Sequence, residues 1–363
     1  MKLLIGGDVV PNAGNDGLFV NGDAKALFGR TCELAAKADR VIINLECALT
    51  NCEDPIPKIG PNLKGVPECV NALKAFGVTD AMLSNNHVFD FGVRGLRETV
   101  GALEGAGIRC GGIGENDTDS RKPYIIDDGK EKIGIINVCE HEYSCALPDR
   151  VGSNPFDPFL TMQDIRELKA QTDHVIVIYH GGKEQCRYPS PRLYRLCHEM
   201  VLCGAEVVLT QHSHCIGCYE QFEGGHILYG QGNFVFCSRG SLEGWHTGLL
   251  AEIDTEGGIS FKLHPFRIYA SGVDLAEGAD RDEIMSEFES RNRELKDGGW
   301  LRGWHDFCES KREAYTAPLR ALSGIDLDEK AREGFAHRLI CEAHSDVWLE
   351  LFPTWNLTNE KNA

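Results

Sequence analysis

Short apolar runs recur along the first 270 residues, and each of them ends at a polar side chain. Continuous apolar runs of this kind, bounded by turn residues, are typical of strands that are buried on both faces of a sheet. The five clearest runs are Lys2–Gly7, Val41–Leu45, Ala81–Ser84, Val175–Tyr179 and Glu206–Leu209. The pattern therefore predicts a buried sheet before any particular residue is considered.

Apolar residues recur at helical spacing between these runs. The predicted helices are Pro67–Phe76, Val93–Ala106, Met162–Gln171 and Pro191–Cys203. Alternating strands and helices predict a largely parallel sheet that is covered by helices on both faces. Antiparallel strands with tight turns are predicted in three further stretches, which are Lys132–Val138, Tyr219–Tyr229 and Gly248–Arg267.

The character of the chain changes near Asp280. Charged segments with apolar residues at helical spacing replace the apolar runs, and they cover Glu283–Lys296, Leu301–Ala314 and Asp328–Phe352. We therefore expect two units: an α/β unit over residues 1–275, and a helical extension over residues 281–363 that packs on it.

The polar residues that follow the five strands are of the kinds that bind metal ions or move protons. They are Asp8, Glu46, Asn86, His87, His180, His212 and His214. Ligands of α/β sheets bind beyond the carboxyl ends of the strands, and parallel strands bring those ends together. The sequence therefore predicts one metal-binding site at this edge.

Taken singly, these residues have simpler interpretations. Asp8 and Glu46 also fit caps of turns or helices, and Asn86-His87 also fits a polar turn. His212 and His214 also fit a surface pair, although two imidazoles at a strand end can face one metal or two adjacent ones. The combination of all these residues at strand ends favours the metal site.

The chain contains 15 cysteines, two of which form Cys215-Ile216-Gly217-Cys218 directly after the histidine pair. This spacing permits a structural zinc site with the two histidines, or a redox pair. No second Cys-x-x-Cys exists, and the neighbouring residues fit a strand, so two cysteines of a buried strand are the favoured interpretation.

The net charge is −18, which changes the set of plausible partners. A surface this acidic repels phosphate backbones and anionic lipid headgroups, so we expect neither nucleic acid nor a membrane surface as a partner. No targeting sequence and no apolar run of membrane-spanning length is visible. Together with the many cysteines, this predicts a cytoplasmic protein with reduced thiols.

A small anionic substrate would therefore need local positive charge. Lys58, Arg192 and Lys183 lie near the strand ends, and an arginine can grip a carboxylate or phosphate with two bonds. Each of them also fits a solvated surface charge. His141 follows the Lys132–Val138 strand and could line the mouth of the site, and Glu184 is a candidate to orient His180.

The ordered motifs resemble those of CapA-type proteins of poly-γ-glutamate capsule synthesis, a branch of the calcineurin-like metallophosphoesterase superfamily. GDVV, NLECALT and LSNNHVFDFG occur in the family's order, followed by IYHGGKE, TQHSH and YGQGNFVF. The similarity covers roughly residues 1–240. Asn85, next to His87, is thereby a second catalytic candidate, and Asn233, in the last motif, is a substrate-binding candidate.

The resemblance implies a four-layer αββα sandwich that holds one or two divalent ions, such as Mn, Zn, Fe or Mg. Glu46 would bridge them, with Asp8 and His214 on one ion and Asn86, His180 and His212 on the other. His87 would act near the leaving group. Val10 stands where the wider superfamily has a metal-binding histidine, and Glu46 replaces its aspartate.

Three functions follow as hypotheses. The first is a hydrolase that cleaves a phosphoester with metal-activated water. The second is an accessory or γ-glutamyl-amide-cleaving protein of poly-γ-glutamate metabolism. The third, a structural zinc protein, leaves Asp8, Glu46, Asn86 and His87 without a role.

Overall fold

The computed structural model describes residues 1–237, 242, 244–322 and 329–352, with side chains left out at 318–322 and 329–332. The strands are β1 (Lys2–Val9), β2 (Arg40–Leu45), β3 (Ala48–Leu49), β4 (Lys64–Gly65), β5 (Asp80–Met82), β6 (Arg109–Gly111), β7 (Ile113–Gly114), β8 (Tyr124–Asp127), β9 (Lys132–Cys139), β10 (Gly152–Ser153), β11 (His174–His180), β12 (Val207–Gln211), β13 (Ile216–Phe222), β14 (Gly225–Gln231), β15 (Asn233–Val235), β16 (Thr247–Asp254), β17 (Ser260–Ile268) and β18 (Val273–Leu275).

Helices connect the strands and follow the last one. They are α1 (Asp16–Asn21), α2 (Ala24–Phe28), α3 (Thr31–Ala35), α4 (Val70–Phe76, preceded by a 3-10 turn at Pro67–Cys69), α5 (Gly92–Gly105), α6 (Asp117–Ser120), α7 (Leu160–Lys169), α8 (Pro191–Leu202), α9 (Gly278–Asp297), α10 (Trp300–Leu322), α11 (Glu329–Ile340) and α12 (Glu342–Leu351). None of these described helices is both long enough and apolar enough to cross a bilayer.

Two large sheets form the α/β part. The first has the order β18-β17-β16-β1-β2-β5-β6, and β15 also pairs with β1. The second has the order β13-β14-β12-β11-β9-β8. The centre of each sheet is parallel, as the strand–helix alternation predicts, whereas the hairpins add antiparallel strands at the edges. The predicted strand at 132–138 is antiparallel to β8 but parallel to β11, so only half of that expectation is correct.

The sheets stack face to face, and helices cover their outer faces. Leu3 and Ile5 of β1 pack between the sheets against residues such as Ile178 of β11. Leu4, which alternates with them, faces the outer layer with Phe76 of α4. Because side chains alternate along a strand, each strand contributes to two apolar layers. This confirms the four-layer αββα sandwich.

The helical part differs from the sequence prediction at one point. The stretch predicted as one helical segment up to Phe352 contains two helices, because Cys341 takes an extended conformation (φ −70°, ψ 128°) and interrupts the helix.

The helix α9 lies on β13, where Arg291 donates from Nε to the carbonyl of Gly217 at 3.1 Å. The helices α11 and α12, which we call the helical roof, contact the segment Glu140–Tyr143 after β9. The division into two units near residue 280 stays a prediction.

Candidate metal centre

Six side chains predicted as metal ligands lie together at the carboxyl ends of the parallel strands. Each of them is at most 6% exposed, and they come from both sheets. They are Asp8 in β1, Glu46 after β2, Asn86 after β5, His180 at the end of β11, and His212 and His214 after β12. The sandwich thus brings residues that are far apart in sequence to one buried site.

The turn after β12 has an unusual backbone. His212 and His214 both have positive φ, at 76° and 55°, which residues other than glycine adopt rarely. Such a conformation costs about 1–3 kcal/mol per residue and persists where the surrounding structure enforces it. Here it accompanies two imidazoles that face the same site.

Glu46 occupies the middle of the cluster. Two sets of potential ligand atoms each lie within 4.8 Å of one another, Asp8 with Glu46 and His180, and Glu46 with His212 and His214. Glu46 is common to both sets, which fits a bridging carboxylate. The sets pair Asp8 with His180, whereas the family resemblance pairs Asp8 with His214.

Three of the four carboxylate oxygens of Asp8 and Glu46 lack a hydrogen-bond partner among the described residues. Both oxygens of Glu46 and Oδ2 of Asp8 are buried without a hydrogen bond. Burying an ionised carboxylate without a partner is very costly, and such groups in proteins are normally paired or bound to a metal. These atoms therefore fit a bound cation.

The imidazole nitrogens converge in a similar way. Nε2 of His180 lies 3.0 Å from Oδ1 of Asn86, 3.2 Å from Nδ1 of His212 and 3.2 Å from Oε1 of Glu46. Four potential donors to a metal thus surround one small space. Nitrogen and oxygen donors in such a mixture suit Zn, Mn or Fe ions.

Burial and neighbouring charge set the protonation of these groups. Burial lowers the pKa of His180 and of His212 to about 4, so both rings are neutral and hold a free lone pair at neutral pH. Burial, and then the charge of Asp8, raises the pKa of Glu46 to about 7. Burial also disfavours the charged form of His214, but the carboxylates of Glu46 and Asp8 outweigh it and raise that pKa to about 10. A metal requires the neutral imidazole, which His180 and His212 already present, so binding to His214 would release the proton of that ring.

His87 belongs to a chain of polar contacts beside the ligands. Its Nδ1 lies 2.6 Å from Oδ2 of Asp90, whose other oxygen is 2.6 Å from Nζ of Lys58. The ammonium of Lys58 also donates to the carbonyl of Asn86 at 3.4 Å. With Nδ1 held by Asp90, Nε2 is the nitrogen of His87 that is available for proton transfer. Lys58, predicted as a substrate contact, is buried with Asp90 instead.

Asn85 is fully buried, and its side chain shapes the turn. Its Nδ2 donates to Oδ1 of Asn44 at 3.0 Å and to the carbonyl of Leu45 at 2.8 Å. Its Oδ1 accepts from the backbone N–H groups of His87 and Val88. Because all these bonds are internal, Asn85 fits a positioning residue for His87 better than the catalytic group that the motif suggests.

The other predicted substrate contacts separate into two groups. Asn233 is buried beside the ligands, where its Oδ1 lies 2.8 Å from Nδ1 of His214. Glu184 is exposed yet close enough for its charge to act on His180 and His212, and no hydrogen bond joins it to His180 within the described residues. His141 and Arg192 face the helical roof and are paired with its carboxylates Glu342 and Asp346.

The roof is held by ion pairs to the segment after β9 and to α8. Nδ1 of His141 lies 2.6 Å from Oε1 of Glu342. Arg192 pairs with Asp346 at 2.9 Å and with Glu140 at 3.1 Å. The guanidinium that was predicted to grip a substrate therefore links the α/β part to α12.

Two further residues orient the ligands, a role that the sequence analysis assigned to neither of them. Nδ2 of Asn44 donates to Oδ1 of Asp8 at 2.7 Å. Oε2 of Glu142 accepts from Nδ2 of Asn86 at 3.0 Å, and its Oε1 lies 3.7 Å from Nε2 of His212. Asn44 is a polar residue inside the apolar run VIINL, and Glu142 follows a strand end; both signals were visible.

Within the described residues, the groups that could hold a metal contain no cysteine. Sγ of Cys215 instead donates to the carbonyl of Cys186 at 3.4 Å, and that of Cys218 to the carbonyl of Arg187 at the same distance. Both cysteines are buried, and Cys218 lies in β13. The geometry favours the buried-strand interpretation over a structural zinc site.

Comparison with known proteins identifies the family. The sequence matches the model of the family described as "Bacterial capsule synthesis protein PGA_cap" over residues 2–238. It is 29% identical over 181 residues to the capsule biosynthesis protein CapA of Bacillus anthracis, covering 48% of this chain and 44% of that protein. It is 31% identical over 173 residues to the PGA biosynthesis protein CapA of Bacillus subtilis, covering 47% of this chain and 45% of that protein.

The chain thus spans less than half the length of these two relatives. Among solved structures, a hypothetical protein from Thermus thermophilus aligns with 74% of this chain and 99% of its own, at 17% identity and a TM-score of 0.48. The family match covers most of the α/β part and includes every proposed metal ligand. The chain belongs to the bacterial capsule synthesis protein PGA_cap family.

Proposed function

We propose that this protein is a metal-dependent hydrolase that cleaves a phosphoester. The observation that carries the proposal is the set of buried carboxylate oxygens on Asp8 and Glu46 that have no hydrogen-bond partner beside two neutral imidazoles. These residues, with Asn86 and His214, would hold one or two divalent cations. Such a cation, when bound, lowers the pKa of water to near ~7 and so supplies hydroxide at neutral pH.

The chain's own residues would position the ligands and move the proton. Asn44 holds the carboxylate of Asp8, and Glu142 holds the amide of Asn86 so that its oxygen faces His180. Hydrogen bonds of this kind fix the orientation of ligands and commonly matter almost as much as the ligands themselves. They would keep the site rigid while a substrate binds.

His87 would act as the general acid toward the leaving group. Asp90 fixes the ring through Nδ1 at 2.6 Å, which leaves Nε2 to deliver a proton. Nζ of Lys58 donates to the other oxygen of Asp90 at 2.6 Å, so both oxygens of this buried carboxylate have a partner. A positioned acid of this type contributes about 100- to 10,000-fold to a rate.

Cleavage of a γ-glutamyl amide is the second candidate, because the family match is to capsule proteins. A cation that polarises a phosphoryl oxygen can also polarise an amide carbonyl. An accessory role in poly-γ-glutamate synthesis without catalysis would leave the His87–Asp90–Lys58 chain without a purpose.

Metal analysis followed by a substrate screen tests the proposal. The purified protein should contain a divalent metal by elemental analysis, and should hydrolyse at least one phosphoester with Mn²⁺, Zn²⁺, Fe²⁺ or Mg²⁺ added. The same screen with γ-glutamyl peptides separates the two candidates, and His87→Ala serves as the control for contaminating activity. Hydrolysis of γ-glutamyl peptides alone would replace the phosphoesterase proposal with the amidase.

A further inference from the structure

A cavity of about 240 Å³ opens beside the metal centre, between the segment after β9 and α11 of the helical roof. Tyr143 and His337 form one wall, where their rings stack at 5.2 Å. Ala336 and Ile340 of α11 contribute apolar surface, and Glu142 and Glu333 contribute carboxylates. None of the proposed roles above uses this space.

The cavity is continuous with the proposed catalytic residues. Glu142, which lines it, binds Nδ2 of Asn86 and lies 3.7 Å from His212. Tyr143 lies on the side of His87, because Nζ of Lys58 is 5.5 Å from the centre of its ring and 3.1 Å from Nδ1 of His87. The cavity therefore adjoins the proposed metal ligands through Glu142, and it lies close to the contacts among His87, Asp90 and Lys58.

The size of the cavity limits what it can hold. An apolar cavity of about 150 Å³ in another protein is large enough for benzene. A space of about 240 Å³ therefore accommodates one aromatic ring with a short substituent. The stacked rings of Tyr143 and His337, with Ile340, supply the apolar surface that such a group buries.

The charges around the cavity disfavour an anion there. Glu333 makes no ion pair with the described side chains, and Glu142 accepts a hydrogen bond from the amide of Asn86 at 3.0 Å. Among the nearby cations, His141 is paired with Glu342 and Lys58 with Asp90, whereas Lys183 acts on His337 from outside the lining of the cavity. A second anionic group placed here would meet two carboxylates.

We propose that this cavity binds the leaving group of the substrate and selects a ring-sized group that is neutral or positively charged. The assignment to the leaving group rests on the proposed function, in which the phosphate occupies the metal centre. A segment of poly-γ-glutamate would place its carboxylates against Glu142 and Glu333, so it fits this cavity poorly. Because α11 lies outside the residues matched by the family model, the selectivity would be particular to proteins with this helical roof.

Binding of three para-substituted phenols to the full chain tests the proposal without requiring catalysis. Tyramine, p-cresol and 4-hydroxybenzoate share one ring and differ in charge, and titration calorimetry or ligand-observed NMR measures their affinity. We expect tyramine to bind most tightly, and 4-hydroxybenzoate to bind at least about tenfold more weakly than p-cresol. Equal binding of 4-hydroxybenzoate and p-cresol would overturn the selectivity.

Variants of α11 show whether the phenols occupy this cavity. Ala336→Trp should fill it and abolish binding of all three, whereas Leu339→Trp, an exposed position on the same helix, should leave binding unchanged. Glu333→Gln should remove the preference for tyramine over p-cresol. Unchanged binding in Ala336→Trp would overturn the location.

The phosphate esters of the same three phenols separate this inference from the proposed function. The expected kcat/KM follows the order tyramine, p-cresol, 4-hydroxybenzoate, and Ala336→Trp removes the differences. If no ester is hydrolysed but the phenols bind in this order, the selective cavity stands and phosphoester cleavage is wrong. If all esters are hydrolysed equally and no phenol binds, phosphoester cleavage stands and the inference is overturned.

Discussion

At the candidate metal centre, buried side chains on strand ends face one another across the two sheets, and several of their polar atoms have no hydrogen-bond partner among the described residues. At the helical roof, the charged side chains described above are paired: His141 with Glu342, and Arg192 with Asp346 and Glu140. The first arrangement leaves polar atoms without hydrogen bonds, whereas the charged groups of the second bind one another. The difference teaches that a cluster of titratable residues indicates binding only where its polar atoms lack partners.

The largest expected effect concerns Glu46, because it belongs to both sets of potential ligands. We predict that Glu46→Gln loses more metal than His214→Ala or His180→Ala does, and loses nearly all activity. The variant keeps the shape but removes the negative charge that would screen the repulsion between two cations about 3.5–4 Å apart. Equilibrium dialysis followed by elemental analysis measures the metal in each variant.

Glu252→Gln, a carboxylate far from the site that pairs with His264, is the matched control and should keep its metal. If Glu46→Gln keeps wild-type metal while His214→Ala loses it, Glu46 does not bridge. The unpartnered oxygens of Glu46 would then not indicate a metal that it shares between two sites.

The second prediction concerns His87, which lies beside the proposed metal ligands but is not one of them in the proposal. We predict that His87→Ala lowers kcat by about 100- to 10,000-fold while the metal content stays near that of the wild type. The reason is that the ring, held by Asp90, would deliver a proton and bind no metal. Steady-state kinetics with parallel metal analysis checks both parts, with His264→Ala as the matched histidine control. Full activity in His87→Ala would remove this residue from the mechanism.

The sequence predicted the strand ends well because their signal is local. An apolar run followed by a polar residue is visible within about ten residues or fewer, and Asp8 or His180 can be placed from its own neighbours. The family motifs then related the strand ends to one another. The four-layer fold and the position of every proposed metal ligand follow from that information.

The ion pairs of the helical roof could not be predicted from the sequence, because their partners are far apart along the chain. Arg192 and Asp346 are 154 residues apart, and His141 and Glu342 are 201 apart, so no local pattern relates them. A surface arginine near a site fits both a substrate contact and an ion pair until its partner is known. The break at Cys341 was equally invisible, because cysteine is not a residue that usually ends a helix.

Arg192 provides the next test, which decides between these two roles. Its removal leaves Asp346 and Glu140, with side chains only 5% and 2% exposed, as uncompensated buried carboxylates. We predict that Arg192→Met lowers the free energy of unfolding by about 3 kcal/mol without loss of metal. Chemical denaturation measures the change, and Arg195→Met, exposed on the same helix, should change it by less than about 0.5 kcal/mol. A raised KM with unchanged stability would return Arg192 to the role of a substrate contact.

The smallest expected effect is the pH dependence of the His141–Glu342 pair. A hydrogen bond to Glu342 raises the pKa of His141 to about 9, above its ordinary value of 6.5. Because the folded state binds this proton more tightly, the stabilisation is fully present below pH 6.5 and is lost as the pH rises through about 9. His141 is partly exposed, so solvent screening limits the contribution to about 1 kcal/mol or less. We therefore predict that wild type is more stable than His141→Gln at about pH 6, and that the difference disappears by about pH 10, when unfolding midpoints are compared at each pH. Using the difference between the two proteins cancels the titration of groups elsewhere in the chain. A difference that persists unchanged at high pH would show that packing against the helical roof, rather than charge, makes His141 stabilising, and the roof would then resemble an ordinary apolar contact.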